Sequence, residues 1–223
     1  MSDIVQNIIS LKKQIPYFVK LVAVSKTRPV SDIIKLYRTG HRAFGENRVQ
    51  EILSKNELLP ADIDWHLIGH LQSNKVKFIV PFIKMIHSVD SFRLLNMINR
   101  EAERIDRIVD CLLQLHIADE ETKFGFSMDE VVEMISSEEF IDLRNIRVCG
   151  VMGMATFTED QEQVREEFRY LAKCFRDIKE KFFQGEESFR EISMGMSGDF
   201  KIAIEEGSTI VRIGSVIFGE RNK

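Results

Sequence analysis

Lys26 ends the run LVAVSK, an apolar, β-branched stretch with the pattern of a buried strand, so a single amine stands at that strand's C-terminal end. Such an amine serves as a plain cation or as a nucleophile toward an aldehyde, and the rest of the chain favours the second use. Two later turns are suited to close approach by a ligand: MGMSGDF, with Gly195, Ser197 and Gly198, and RIGS, with Gly214 and Ser215. Ser197 stands where a helix is expected to begin. Backbone amides at a helix N-terminus, flanked by small hydroxyl side chains, make an anion site that suits phosphate. Taken singly, each turn has a plainer reading, with Ser197 as an ordinary helix cap and the glycines as turn formers. Two such turns on consecutive strands shift the balance toward phosphate, and an amine on the adjoining strand shifts it further.

A phosphate cradle beside a strand-end lysine suits a phosphorylated aldehyde held as a Schiff base, which is how pyridoxal 5'-phosphate is bound. Arg212, in VRIG, is a charge in an otherwise apolar stretch two positions before Gly214, and its guanidinium can face the pyridine nitrogen. Arginine cannot accept a proton and disfavours protonation of the ring, which leaves a weaker electron sink than a carboxylate partner would. On spacing alone, an ion-paired or solvated Arg212 is an equally good reading.

These residues meet only if the fold brings strand ends together. Strand-like and helix-like segments alternate along the whole chain. An amphipathic helix at about Ile4 to Lys13 precedes strand KLVAVSK, and helix SDIIKLYRTG follows, with Ser31 as its cap and Gly40 as its stop. Then come strand RAFGE, helix RVQEILSKNELL, strand IDWHLIGH, short helix NKVKFIVPF, strand MIHSVD and helix SFRLLNMINREAERI. The second half reads as strand IVDCLLQLHIA, helix MDEVVEMISSEEF, strand IRVCGVMGMA, a long helix from Glu159 to Phe183, strand FREISMGM, helix GDFKIAIEEG and strand STIVRIGSVIFG. Strands separated by helices run parallel, and eight of them at 223 residues are most economically closed into a single (β/α)8 TIM-type barrel over residues 1–223. An open doubly wound sheet is the alternative, but no GxGxxG follows the first strand and no GxxxxGK[ST] occurs. With the sequence ending soon after the eighth strand, the opening helix is expected to cover the seam between strands eight and one. Active sites in this architecture lie at the C-terminal strand ends, often with a phosphate site after strands seven and eight.

Composition narrows the function classes. Net charge is −4, with 31 basic residues spread along the chain, so nucleic-acid binding has little support. No apolar run approaches membrane-spanning length and the N-terminus lacks a secretory pattern, so a cytoplasmic protein is expected. Cys111, Cys149 and Cys174 are odd in number, lack CxxC spacing and read as buried thiols. His66 and His70 stand four apart in a strand-turn context without a carboxylate to complete a zinc motif, which favours core or supporting roles. Met152, Met154, Met194 and Met196 alternate as barrel packing, with the Met196 backbone in reach of the phosphate. Glu120 and Glu121 read as a solvated charge pair, and Asp199 as favourable to its helix dipole.

The motifs VAVSK at Lys26, FGENRVQE (Phe44 to Glu51), WHLIGHLQSNK (Trp65 to Lys75), HSVDS from His87, ETKFGF from Glu121, GVMGMATF from Gly150 and the stretch from Ser193 to Gly219 occur in one order across nearly the whole chain. Together they resemble the YggS-like or PROSC-like pyridoxal phosphate homeostasis proteins, relatives of the N-terminal barrel of alanine racemase. The resemblance implies a fold-type III barrel without the C-terminal β domain of alanine racemase, with Lys26 carrying the cofactor as an aldimine. It also implies Ser197, Gly214 and Ser215 at the phosphate with Met196 beside them, Arg212 at the ring nitrogen and Asn47 near the ring. RIGS stands for the commoner RIGT, and GENR for GENY, so Arg48 takes a tyrosine's place. The implied function is to hold, buffer or deliver pyridoxal phosphate, with apo-enzymes that need it as candidate partners and a monomer as the expected state. A pyridoxal-phosphate amino-acid racemase is the alternative, and a cofactor-free barrel isomerase a third. Racemisation needs acid/base groups on both faces, and none of Tyr17, Tyr37 and Tyr170 stands at an expected strand end facing the cofactor. No metal and no catalytic residue is expected.

Overall fold

Runs of β-branched and apolar residues separated by amphipathic segments can bury both faces only in layers, with a parallel sheet inside and helices outside. The computed structural model describes residues 3–118 and 124–220. It opens on α1 (Ile4–Lys12), capped by Asp3, whose carboxylate accepts from the Val5 and Gln6 N–H groups. The strands are β1 (Lys20–Val24), β2 (Ala43–Glu46), β3 (Asp64–Leu67), β4 (Met85–Val89), β5 (Val109–Gln114), β6 (Ile146–Met152), β7 (Glu191–Ser193) and β8 (Ile210–Ile213). Between them run α2 (Val30–Tyr37), α3 (Val49–Asn56), a 3-10 turn (Ser73–Lys75) leading into α4 (Val76–Ile79), and α5 (Phe92–Glu103). Then come α6 (Met128–Ile135), α7 (Glu138–Ile141), α8 (Gln161–Phe182) and α9 (Phe200–Glu205), and α10 (Ser215–Phe218) follows β8. Each strand pairs in parallel with the next, and β8 returns to β1 from Lys20 opposite Ile210 to Ala23 opposite Ile213. The expected eight-stranded barrel is the observed fold.

Alternation along each strand sorts side chains into two layers. In β1, Leu21 and Ala23 join the large core between sheet and helices, while Val22 joins Met85, Leu112, Cys149, Met152 and Ile210 inside the barrel. Other inward positions are polar. His66 alternates with the outward Trp65 and Leu67, and Arg212 with the outward Val211 and Ile213; His87 and Ser193 share the interior. Outside the barrel, α1 buries Ile4, Ile8 and Leu11 and packs against α2 and α10, with the Asn7 amide donating to the Ile217 carbonyl at 3.0 Å.

Several local expectations need correction. Ser31 does not cap α2: Pro29, extended at ψ 156°, holds the N-cap position, and Ser31 lies one residue inside the helix. The segment after β5 splits into α6 and α7, because the Ser137 hydroxyl accepts from the Phe140 N–H and starts a new helix. The last strand stops at Ile213, where its pairing with β1 ends, and SVIF forms α10 instead, burying Ile217 and Phe218. Ser197 is not a helix cap, since Asp199 takes the N-cap position of α9. Met194 belongs to the outer core rather than the interior, while Met152 is inside as expected. All three cysteines are buried and free.

Gly150 marks where β6 must bend. The β5–β6 register shifts between Cys111 and Leu112, Gly150 has φ +149°, and a Cβ there would lie 1.8 Å from the Glu191 carbonyl oxygen. Gly150→Ala therefore combines backbone strain with a clash against β7 and should lower stability by about 2–5 kcal/mol, read as a lower urea midpoint. A midpoint within error of the parent chain would contradict this account.

Candidate functional site

Lys26 lies two residues past β1, in a turn pinned on both sides. Upstream, the Ser25 N–H donates to Gly45 O at 3.0 Å, and the Ser25 hydroxyl donates to Glu46 Oε1 at 2.6 Å. Downstream, Thr27 is held at φ +65°, and its N–H donates to Glu51 Oε2 at 2.7 Å. Lys55, reaching back from α3, ties the halves together by donating to Ser25 O (2.9 Å), Glu46 Oε1 (2.7 Å) and Glu51 Oε2 (3.0 Å). A left-handed threonine is costly unless its surroundings enforce it, and this buried ionic cluster does so. Burial pushes Glu46 up to about 7 despite the bonds from Lys55 and Ser25, and its Oε2 has no hydrogen-bond partner among the described residues.

The turns after β7 and β8 meet beside β1. Gly195 has φ +94°, and a Cβ there would come within 2.5 Å of the Ala203 Cβ on α9. The Asp199 carboxylate accepts from the Met196 N–H and fixes the turn, while Ser197 Oγ accepts from the Gly214 N–H at 3.3 Å and joins the two turns. At Gly214 a Cβ would meet Val24 O at 3.1 Å, so the chain runs tight against β1. The N–H groups of Ser197, Gly198, Ser215 and Val216 donate to no protein acceptor among the described residues. Unspent backbone donors beside two hydroxyls are the donor set a phosphate needs.

All seven residues singled out from the sequence, Lys26, Asn47, Met196, Ser197, Arg212, Gly214 and Ser215, line one cavity of about 710 Å³ at the C-terminal strand ends. Arg212 is 3 % exposed; it donates from Nη1 to Ser193 O and Ser193 Oγ, both at 2.7 Å, and from Nη2 to Gly153 O at 3.0 Å. Burial lowers its pKa to about 10, with Asp199 acting the other way, so it stays a cation at neutral pH. The spacing did not single out Arg28, Thr156, Thr158 or Glu159, which line the same cavity. Thr156 lies within the quoted GVMGMATF motif, and Thr158 and Glu159 directly follow it. The Arg28 guanidinium is bound to the Gly219 carbonyl.

The remaining candidates separate from this cavity. Arg48 is exposed at the start of α3 and does not line it. None of the three tyrosines lines it: Tyr17 is fully exposed, Tyr37 donates to Asp62 at 2.7 Å, and Tyr170 lies on α8. His70 pairs with Asp90 at 2.9 Å and stacks on Phe124 with ring centroids 4.5 Å apart, whereas His66 is buried against His87. No cluster of histidine, cysteine and carboxylate groups among the described residues could hold a metal ion, and no helix among them is long and apolar enough to cross a membrane. Glu120, Glu121 and the start of the ETKFGF motif lie outside the described residues.

The family model described as "Alanine racemase, N-terminal domain" matches residues 1–222. A relative from Aquifex aeolicus named pyridoxal phosphate homeostasis protein is 40% identical over 203 residues, covering 91% of this chain and 87% of its own. The human protein of that name is 37% identical over 215 residues, covering 91% and 77%. Among solved structures, PipY of Synechococcus elongatus PCC7942 with PLP bound superposes with TM-score 0.89 at 33% identity, covering 97% of this chain and all of that one.

Acid sensitivity follows from the buried titrating groups. Burial lowers His41 to about 4, His66 to about 3 and His87 well below its usual value, and raises Glu46 to about 7. Between about pH 5 and 6 the folded chain keeps these imidazoles neutral and Glu46 protonated, while the unfolded chain protonates the histidines and ionises Glu46. Unfolding takes up three protons and releases one. Stability should therefore rise with pH across that window by about 2–3 kcal/mol per unit, and Glu46→Gln should steepen the rise toward three protons. Urea titrations at stepped pH check this; a flat profile, or a Gln variant with a shallower slope, would contradict it.

Proposed function

Because the chain belongs to the pyridoxal phosphate homeostasis protein family, built on the alanine racemase N-terminal domain, we propose that it binds pyridoxal 5'-phosphate in the cavity at the C-terminal strand ends and serves to hold, buffer and deliver it. One observation carries this reading: a strand-end amine, a buried guanidinium and a set of unspent N–H and hydroxyl donors line the same cavity. Bound there, the cofactor supplies an aldehyde able to condense with an amine and a ring able to draw electrons from it. Lys26 is the amine for that aldehyde. Ser197, Gly214 and Ser215 hold the phosphate with Met196 beside them, Arg212 faces the ring nitrogen, and Asn47 lies near the ring.

The chain acts as a carrier rather than as an enzyme. Two-base racemisation needs an acid/base group on each face of the bound substrate, and no tyrosine lines the cavity. Arg212 adds to the argument, since a donor-only partner leaves the ring nitrogen unprotonated and the ring a weak electron sink. Transfer to apo-enzymes that use the same cofactor asks for less. It needs Lys26 as leaving group and no base at Cα. In this proposal the chain is a cytoplasmic monomer of one domain over residues 1–223, with α1 over the seam between β8 and β1, and its free, buried cysteines fit a reducing compartment.

Lys26→Ala should abolish a borohydride-reducible visible absorption band while circular dichroism stays that of the parent chain; a surviving band would move the assignment to another lysine. Ser197→Ala and Ser215→Ala should each weaken cofactor retention by roughly 1 to 2 kcal/mol, the size of one hydrogen bond to a charged group. Unchanged retention in the double variant would remove the phosphate from these turns. To separate carrier from racemase, the loaded protein is incubated with single-enantiomer amino acids in deuterated water. Negligible α-deuteration, together with faster reactivation of an apo-enzyme than an equal concentration of free cofactor achieves, is the expected result. Deuteration with inversion at catalytic rates would establish an enzyme instead.

A further inference from the structure

Four polar side chains cross the barrel interior in an unbroken line. Arg212 Nη1 donates to Ser193 Oγ at 2.7 Å, Ser193 Oγ lies 2.9 Å from His87 Nδ1, and His87 Nε2 lies 2.9 Å from His66 Nδ1. All are closed off from solvent, at 3 %, 0 %, 0 % and 6 % exposure in that order. Arg212 opens on the cofactor cavity. His66 lines a separate cavity of about 850 Å³ at the opposite mouth, where Lys20 starts β1 and Lys84 immediately precedes β4.

The chemistry of the first residue fixes the direction of the whole line. A guanidinium has donors and no acceptor, so Ser193 Oγ must accept from it. Ser193 Oγ has one further partner, His87 Nδ1, and the arrangement that leaves no buried proton unsatisfied sends the hydroxyl proton there. His87 then carries its proton on Nε2 and donates to His66 Nδ1, which leaves His66 with a proton on Nε2. That atom has no protein partner among the described residues, and His66 lines the far cavity. Every link donates away from the cofactor cavity, and each donation makes the preceding oxygen or nitrogen a better acceptor. Burial, with the nearby cations at the far mouth, keeps both imidazoles neutral, as this polarity requires.

We propose that Ser193, His87 and His66 are positioning residues that grip Arg212 in one orientation and present its remaining N–H groups to the cofactor's ring nitrogen as fixed donors. The inference rests on the placement of that nitrogen opposite Arg212 proposed above. The line is a brace and not a proton wire. Carrying a proton to the ring would mean reversing every link, and the final group cannot give up its proton at neutral pH.

The test uses the full chain loaded with pyridoxal 5'-phosphate labelled with nitrogen-15 in the ring, reading the pyridine nitrogen shift and the rate of cofactor loss, with circular dichroism as the check on folding. Arg212→Leu sets the reference; if it leaves the shift where the parent chain has it, the nitrogen is not opposite Arg212 and the cofactor placement itself fails. Where that reference does move, Ser193→Ala and His87→Leu should move the shift toward it and speed cofactor loss about tenfold. His87→Gln, which can accept from Ser193 through Oε1 and donate onward through Nε2, should stay within about twofold of the parent chain. A packing role alone would lower thermal stability in these variants without moving the nitrogen shift. Parent-like shift and loss rate in folded Ser193→Ala overturn the proposal, and so does His87→Gln behaving as His87→Leu. If His87→Leu does not fold, Ser193→Ala, which removes a single oxygen, decides the matter.

Discussion

The pairing of β8 with β1 is the constraint on which everything else depends. Until Lys20 to Ala23 bond alongside Ile210 to Ile213, the strand that carries Lys26 and the strand that carries Arg212 are at opposite ends of the chain and have no relation. Parallel pairing then places both C-terminal ends at one mouth, which is how a lysine, an arginine and two serine turns come to line a single cavity. Closure is also what gives the interior its low dielectric. Arg212 and His87 are buried because the barrel is sealed, and their hydrogen bonds must therefore be complete.

Charge is buried at two places in this mouth, and the solutions differ. Under Lys26, Lys55 lies 2.7 Å from Glu46 Oε1, a direct ion pair once Glu46 ionises near pH 7, with Glu51 and Ser25 taking the further bonds. Removing one partner of such a pair leaves the other uncompensated, so the cluster is better read as a clamp on the Lys26 turn than as a source of net stability. Among the described residues Arg212 has no carboxylate as a hydrogen-bond partner; carbonyls and a hydroxyl hold it. A neutral cradle keeps the full positive charge available to whatever faces it, whereas a carboxylate would have cancelled it.

The sequence carried the barrel and the seven cavity residues for separable reasons. Strand and helix periodicities alternate strongly enough to predict eight strands, and chain closure then follows from economy of connection. Apart from Arg212 on β8, the cavity residues sit on short, chemically distinctive turns or at the helix start that follows one, and the resemblance of the ordered motifs implies their roles. What stayed illegible was tertiary. Lys55 lies on a helix face where a solvated lysine is the default, and only the packing of α3 against β2, with the bond to Ser25 O, turns it inward. His87 and Ser193 sit within recognisable motifs, but nothing in their spacing shows that strands β4 and β7 bring them within a hydrogen bond across the barrel. SVIF has strand-like residues and reads as a continuation of β8, but its helical state is decided by the loss of a pairing partner after Ile213 and by the contact with α1.

Under the proposal of a carrier, the same geometry bears on why this mouth would suit retention over turnover. A two-base racemase using this cofactor has to take a proton from carbon on one face and return one on the other, so it needs a mobile proton on each face. Here the group beside the proposed ring nitrogen is donor-only and gripped by bonds that all point away from it, and the tyrosines lie on the outside of the barrel. The turns that would hold the phosphate are tied to each other by the Ser197–Gly214 bond and to β1 by close backbone contact, which favours tight and rigid binding. Rigid donors that recognise the resting cofactor as well as any reacting form of it give uniform binding, and uniform binding lowers the energy of the bound state without accelerating chemistry.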